Sequence, residues 1–261
     1  MLRLFCLLYL LLQSAWAADN KPVIGVAGSG YESRSVRYAM AAIWDAGGYP
    51  VLLDTRQPEK LSQHVAALNG VIIAGNSLDI NPDDYYASAL HPKTQNEDVL
   101  ATNAWEHQRD DYEYALIEAV TQRRLPFFWI CSGAQRLNVA GGGTLTQHIE
   151  GQMVVSKQQL PHQPILALKV MRNSHVADIV GNGPFRDNSL HHQHISQVRS
   201  GFRVAARDAS SGIVEAIEPL PNGAFGEHPF LLGVQWHPEY GASHESQQLM
   251  AALIDAASAH A

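Results

Sequence analysis

Short apolar runs alternate with amphipathic stretches through the first half of the chain. "KPVIGVAG" is apolar up to Gly28, and Ser33 then stands as an N-cap before Val36, Met40, Ile43 and Trp44, which recur at helical spacing until Gly47-Gly48 stops them. "YPVLLD" reads as a second strand, Pro58 sits where a helix begins, and "EKLSQHVAAL" runs to Asn69-Gly70. "GVIIAGN" is a third strand. Beyond a loop rich in Asn, Asp and Pro, "WEHQRDDYEYALIEAVTQRR" places Tyr112, Leu116, Ile117 and Val120 on one helical face, and Pro126 resets the chain into the strand "FFWI". Such alternation predicts an α/β fold with an open, mostly parallel sheet and helices on both faces. The second half is richer in strands: "PILALKVM", "GFRVAARD", "GIVEAIE" and "FLLGVQWH" lie between turn signals, and "SHESQQLMAALIDAASA" is a closing helix.

Composition changes this picture at the N-terminus. Arg3, the apolar run Leu4 to Leu12 and the small-x-small site Ala15-Trp16-Ala17 predict a secretory signal peptide over residues 1–17, too short an apolar run for a membrane span. No repeat, low-complexity tract or linker divides the remainder, so residues 18–261 are expected to form one domain, secreted and periplasmic, with no membrane anchor after cleavage. The formal charge of −7, without any Lys/Arg cluster, argues against nucleic acid as a partner.

Of the two cysteines, Cys6 lies in the leader, which leaves Cys131 without an internal disulfide partner. A lone cysteine is most often a small buried hydrophobe. Cys131, however, falls between the strand "FFWI" and an apolar-periodic stretch. A tight strand-to-helix turn there aims the thiol into the crevice at the carboxyl ends of the strands, beside the positive end of a helix. Gly133 suits the close approach such a turn needs. A nucleophilic cysteine also requires a base, and "GVQWHPEY" supplies His237 and Glu239 at the end of the last apolar strand. In extended backbone these two point to the same side, so the carboxylate can hold one tautomer of the imidazole.

"WICSGAQRLNVAGGGTLTQHI", "NSLHHQHI" and "LLGVQWHPEY", with "GGYPVLL", "AGNSLDINPDDY" and "QRDDYEYALIEA", resemble the class I glutamine amidotransferase superfamily, and most closely its gamma-glutamyl-gamma-aminobutyrate hydrolase family. The resemblance spans nearly all of residues 18–261 and implies a flavodoxin-like layering. It implies hydrolysis of a gamma-glutamyl amide through a thioester on Cys131, with His237 as general base and then acid and Glu239 orienting it. The oxyanion would be met by the backbone N–H of Ser132 and by that of Gly75 or Asn76, since Ala74-Gly75-Asn76 stands where the family has Pro-Gly-Gly. Gln135, in the C-x-G-x-Q position, would hold the glutamyl end, and Ser189, His191 and His192 fall in the family's substrate loop. Trp129, Ser132 and Asn76 depart from the family pattern, which has a small residue, an arginine and a glycine there.

Other chemistries fit less well. His191, His192 and His194 cluster in sequence without a Cys or carboxylate at ligand spacing, so no metal is expected. "AGSGYES" lacks the third glycine of a dinucleotide fingerprint and "AGGGTL" lacks a Lys-Ser/Thr continuation, so no cofactor is expected either. Two other readings remain: an inactive periplasmic binding protein for gamma-glutamyl compounds, and the glutaminase subunit of an amidotransferase. Neither the leaving amine nor the oligomeric state can be read from the sequence.

Overall fold

A computed structural model describes residues 21–76, 78–80, 107–146 and 166–260. Five parallel strands form its centre: β1 (Val23–Gly28), β2 (Tyr49–Asp54), β3 (Gly70–Ile73), β4 (Phe127–Ile130) and β11 (Leu231–Val234), in the order β2-β1-β3-β4-β11. The sheet continues from β11 with antiparallel neighbours β10 (Val214–Pro219), β9 (Phe202–Asp208), β6 (Leu166–Val170) and β7 (Phe185–Asp187). β8 (His194–Gln197) branches from β10 and carries β5 (Thr144–Thr146). The expected mixed α/β architecture is therefore observed.

Helices cover both faces because the central strands bury both sides, which is why they read as continuous apolar runs. On one face α1 (Arg34–Asp45), α5 (His175–Val180) and α6 (His244–Ala259) pack Val36, Ile43, Val176, Leu249 and Leu253 against Phe128 and Ile130. On the other, α2 (Leu61–Ala66), α3 (His107–Arg123) and α4 (Ser132–Ala140) pack Val65, Tyr112, Leu116 and Leu137 against Phe127 and Trp129. The alternation along β4 thus sends Trp129 into the second core, fully buried against Phe127 at 4.2 Å between ring centroids and away from the turn that follows.

Several details differ from expectation. Trp44 does not join the buried face of α1: it is 53% exposed, with Lys21 over its ring, because its position falls off the stripe set by Val36, Ala39 and Ile43. The helix expected from Pro58 opens as a 3-10 turn, Pro58–Lys60, before α2. "NSLHHQHI" includes the strand β8, and β5 follows directly on the glycines after α4. Residues 1–17, where the leader is expected, lie outside the described residues, as does most of the Asn/Asp/Pro-rich loop. Among the described residues no helix is long and apolar enough to cross a membrane.

Register sets up the site. Ile73 pairs with Trp129, and Ile130 with Val234, so β3, β4 and β11 end almost level. Residues 74–76, 131–133 and 235–239 then leave the sheet side by side.

Candidate active site

Cys131 occupies the turn between β4 and α4 with φ 54° and ψ −112°, one of three non-glycine residues with positive φ among those described. An L-residue held there stores strain of roughly 1–3 kcal/mol, typical of a functional constraint. Gly133 lets the turn close: a Cβ on it would lie 2.8 Å from the Ile73 carbonyl oxygen and 2.9 Å from Ile73 Cγ2. Gly75 approaches from the neighbouring strand, where a Cβ would meet Cys131 Cβ at 2.9 Å and His237 Cε1 at 3.0 Å. Only a glycine lets these three segments meet.

His237 follows β11 and is buried, as are Cys131 and Glu239. Its Nδ1 bonds Glu239 Oε1 at 2.6 Å, which leaves Nε2 as the ring nitrogen for the hydrogen bond with the Cys131 thiol. Tyr240 stacks on the imidazole at 5.0 Å between centroids and 14° between planes. Asn188 Nδ2 donates to the His237 carbonyl at 3.1 Å, and Asp187 fixes that amide while accepting from Ser243 and Ser246 Oγ, both at 2.6 Å.

Charge in this enclosure favours an ion pair. Burial pushes the Cys131 thiol up, but the His237 charge and hydrogen bond, with the His191 charge behind them, outweigh it and hold the thiol below its ordinary range. Burial pushes His237 down, yet the Glu239 and Cys131 charges raise it well above the ordinary imidazole value. Both shifts run toward a thiolate beside an imidazolium, the form a cysteine nucleophile requires.

The remaining candidates fall into two groups. Asn76, at an ordinary negative φ, donates its backbone N–H to Ser132 Oγ at 3.0 Å, whereas the Gly75 N–H has no acceptor among the described residues. The Ser132 N–H opens α4, where the first turn's donors have no intrahelical partner. Gln135 is buried and gives both amide hydrogens to the protein, to Gln193 O at 3.0 Å and Gln235 Oε1 at 3.1 Å. Its Oε1 receives no hydrogen bond from a described residue. Ser189 is buried in the same loop.

The adjacent histidines diverge: His191 Nε2 meets Glu215 Oε1 at 3.2 Å, His192 Nε2 meets Asp79 Oδ1 at 2.7 Å, and His194 Nδ1 faces the Ile195 carbonyl. Among the described residues no three His, Cys, Asp or Glu side chains gather as a metal site.

Sequence reasoning missed Gln235, whose Nε2 donates to Cys131 Sγ at 3.7 Å, and the Tyr240 stack, although both lie inside "GVQWHPEY" beside residues already singled out. It also missed Glu215, in "GIVEAIE", a charged residue in a run otherwise suited to a buried strand.

Comparison with known proteins gives the family and the fold. A Mycobacterium tuberculosis protein provisionally named a glutamine amidotransferase is 36% identical over 220 residues, which are 83% of this chain and 65% of that protein, just under two thirds of its length. Gamma-glutamyl-gamma-aminobutyrate hydrolase of Escherichia coli O157:H7 is 32% identical over 244 residues, 86% of this chain and 88% of the relative. Among solved structures, a glutamine amidotransferase from Thermotoga maritima superposes with a TM-score of 0.56 at 14% identity, covering 85% of this chain and 77% of that one, which speaks to the fold alone. The Peptidase C26 family model matches residues 19–239, and the chain belongs to that family of class I glutamine amidotransferase-like hydrolases.

Proposed function

We propose that the protein hydrolyses gamma-glutamyl amide bonds of a small molecule or peptide through a glutamyl thioester on Cys131. The observation that carries the reading is the buried Cys131–His237–Glu239 array at the ends of β4 and β11, with its thiol held low and its imidazole held high. The names of relatives such as the Escherichia coli hydrolase support the substrate class.

The steps start from the thiolate–imidazolium form that both shifts favour. Cys131 Sγ adds to the γ-carbonyl carbon, and the carbonyl π pair moves onto oxygen, where the Ser132 and Gly75 N–H groups stabilise it. As that pair returns, the C–N bond breaks, and the leaving nitrogen takes the proton of His237 Nε2. The neutral imidazole then removes a proton from water, the hydroxide oxygen adds to the thioester carbon, and the C–S bond breaks to give glutamate and the thiolate. Glu239 Oε1 accepts from His237 Nδ1–H and keeps the imidazole in place throughout. Gln135 Oε1 is the acceptor left for the glutamyl end, and Ser189, His191 and His192 line the loop beside it.

Trp129 does not obstruct the reading, since its burial against Phe127 keeps it out of the turn. The test is glutamate release from a panel of gamma-glutamyl amides by the wild type and by Cys131→Ala. Release that falls by about 10⁴-fold or more in the variant is expected. Binding without release from any amide of the panel would favour a binding protein instead.

A further inference from the structure

Beneath the turn lies a cluster of four buried charges that the mechanism does not use. Arg109, Asp110 and Glu113 come from α3 and Arg136 from α4, and all four are buried. Arg109 Nε bonds Glu113 Oε1 at 2.6 Å, Arg136 Nε meets Glu113 Oε2 at 3.1 Å, and Arg136 Nε bonds Asp110 Oδ1 at 2.7 Å. Two cations and two anions balance, with Glu113 between the guanidinium groups.

The outward-facing ends of this cluster reach two backbone segments. Arg109 Nη2 donates to the Ala74 carbonyl at 2.9 Å, and Arg136 Nη1 reaches the Ser132 carbonyl at 3.4 Å. Arg109 Nη1 also donates to Ser29 Oγ at 3.1 Å, and with the Asn76 amide turned over by 180° it would donate to that side-chain oxygen at 2.8 Å, the amide nitrogen then donating to Ser132 Oγ at 3.0 Å. The Ala74 carbonyl belongs to the same peptide unit as the Gly75 N–H, and in a planar trans peptide the two point in opposite directions. Holding the oxygen from below therefore aims the N–H upward, at the space beside Cys131. Of the two N–H groups after Ala74, this is the one without an acceptor among the described residues, since Asn76 N–H is taken by Ser132 Oγ.

We infer that Arg109 is a positioning residue of the hydrolysis reaction: by clamping the Ala74–Gly75 peptide from the buried α3 cluster, it fixes the Gly75 N–H as the second oxyanion donor. The inference rests on the proposed Cys131 chemistry and adds to it which donor is used and what orients it. Such a residue acts on the transition state alone. Loss of one oxyanion donor costs about 10²–10³ in kcat, and a loosened donor roughly a tenth of that.

Removing Arg109 alone would leave two buried carboxylates, Asp110 and Glu113, on the single guanidinium of Arg136, so the test uses the charge-balanced pair Arg109→Met with Glu113→Gln, which retains the Arg136–Asp110 bond. Arg109→Lys, which keeps the charge but replaces the fork with a single ammonium, is the second variant. The expected result for each is a kcat about 10–100-fold lower at unchanged KM, with iodoacetamide alkylation of Cys131 unchanged in rate and pH profile, since alkylation builds no oxyanion. Acylation by p-nitrophenyl acetate, which builds one at Cys131 whatever the natural substrate, should slow by the same factor. Unchanged kcat and acylation in either folded variant would overturn the clamp, and so would equal slowing of acylation and alkylation, which marks damage to the nucleophile itself. A wild type that is acylated by the ester but cleaves no gamma-glutamyl amide would overturn the substrate reading while the ester still reports on the clamp.

Discussion

At the scale of single residues the chemistry is decided by a contest between burial and charge at Cys131. Burial alone would keep the thiol protonated; the His237 charge reverses that, and Glu239 keeps the imidazole charged in an enclosure that would otherwise neutralise it. The sign of the pH dependence follows. Activity should rise as pH climbs past the lowered thiol value and fall as it climbs through the raised imidazole value, because the ion pair exists only between them. In His237→Ala the largest influence lowering the thiol is gone and the push of burial remains. The midpoint for iodoacetamide alkylation of Cys131 is then expected to move up, slowing alkylation near neutral pH by about tenfold for each unit of the rise. An unchanged or lowered midpoint would show that another group governs the thiol.

At the scale of elements, the turn between β4 and α4 carries the cost of presenting that thiol. Cys131 at φ 54° is strained, and the strain belongs to the backbone rather than to the sulfur. Cys131→Gly, which suits a positive φ, should therefore unfold at higher denaturant than Cys131→Ala, by about 1 kcal/mol once glycine's greater unfolded-state freedom is set against the relief. An alanine variant as stable as the glycine variant would mean the turn is unstrained. The central strands β1, β3, β4 and β11 were legible because they are buried on both faces and so are apolar throughout, and α3 because it keeps a single stripe through Tyr112, Leu116 and Val120. The shorter β5, β7 and β8 were not: each has only three or four residues, and stretches such as "HISQ" gain their strand character from partners distant in sequence. Trp44 misled for a related reason, since an apolar residue beside a stripe reads as part of it until the stripe's centre is known.

At the scale of the whole molecule, function depends on parts that meet only through the sheet. Gly75, Cys131 and His237 follow three different strands, whose level ends place them within van der Waals reach. Behind them, Asp187 and Asn188 hold the His237 backbone from one side and the α3 cluster holds Ala74 from the other. Cys131, His237 and Glu239 could be singled out in the sequence because strand ends, a glycine and a proline mark their places. The supports could not, because "QRDDYEY" reads as an ordinary charged helix surface until tertiary packing buries Arg109, Asp110 and Glu113. The central claim is that Cys131 becomes acylated during turnover, and it is tested most directly by the intact mass of protein mixed with a gamma-glutamyl amide and quenched in acid. A mass increase of one glutamyl group, mapped to Cys131 and absent from Cys131→Ala, is the predicted result. Glutamate release by wild-type protein that never carries an acyl group, or release that persists in Cys131→Ala, would contradict it.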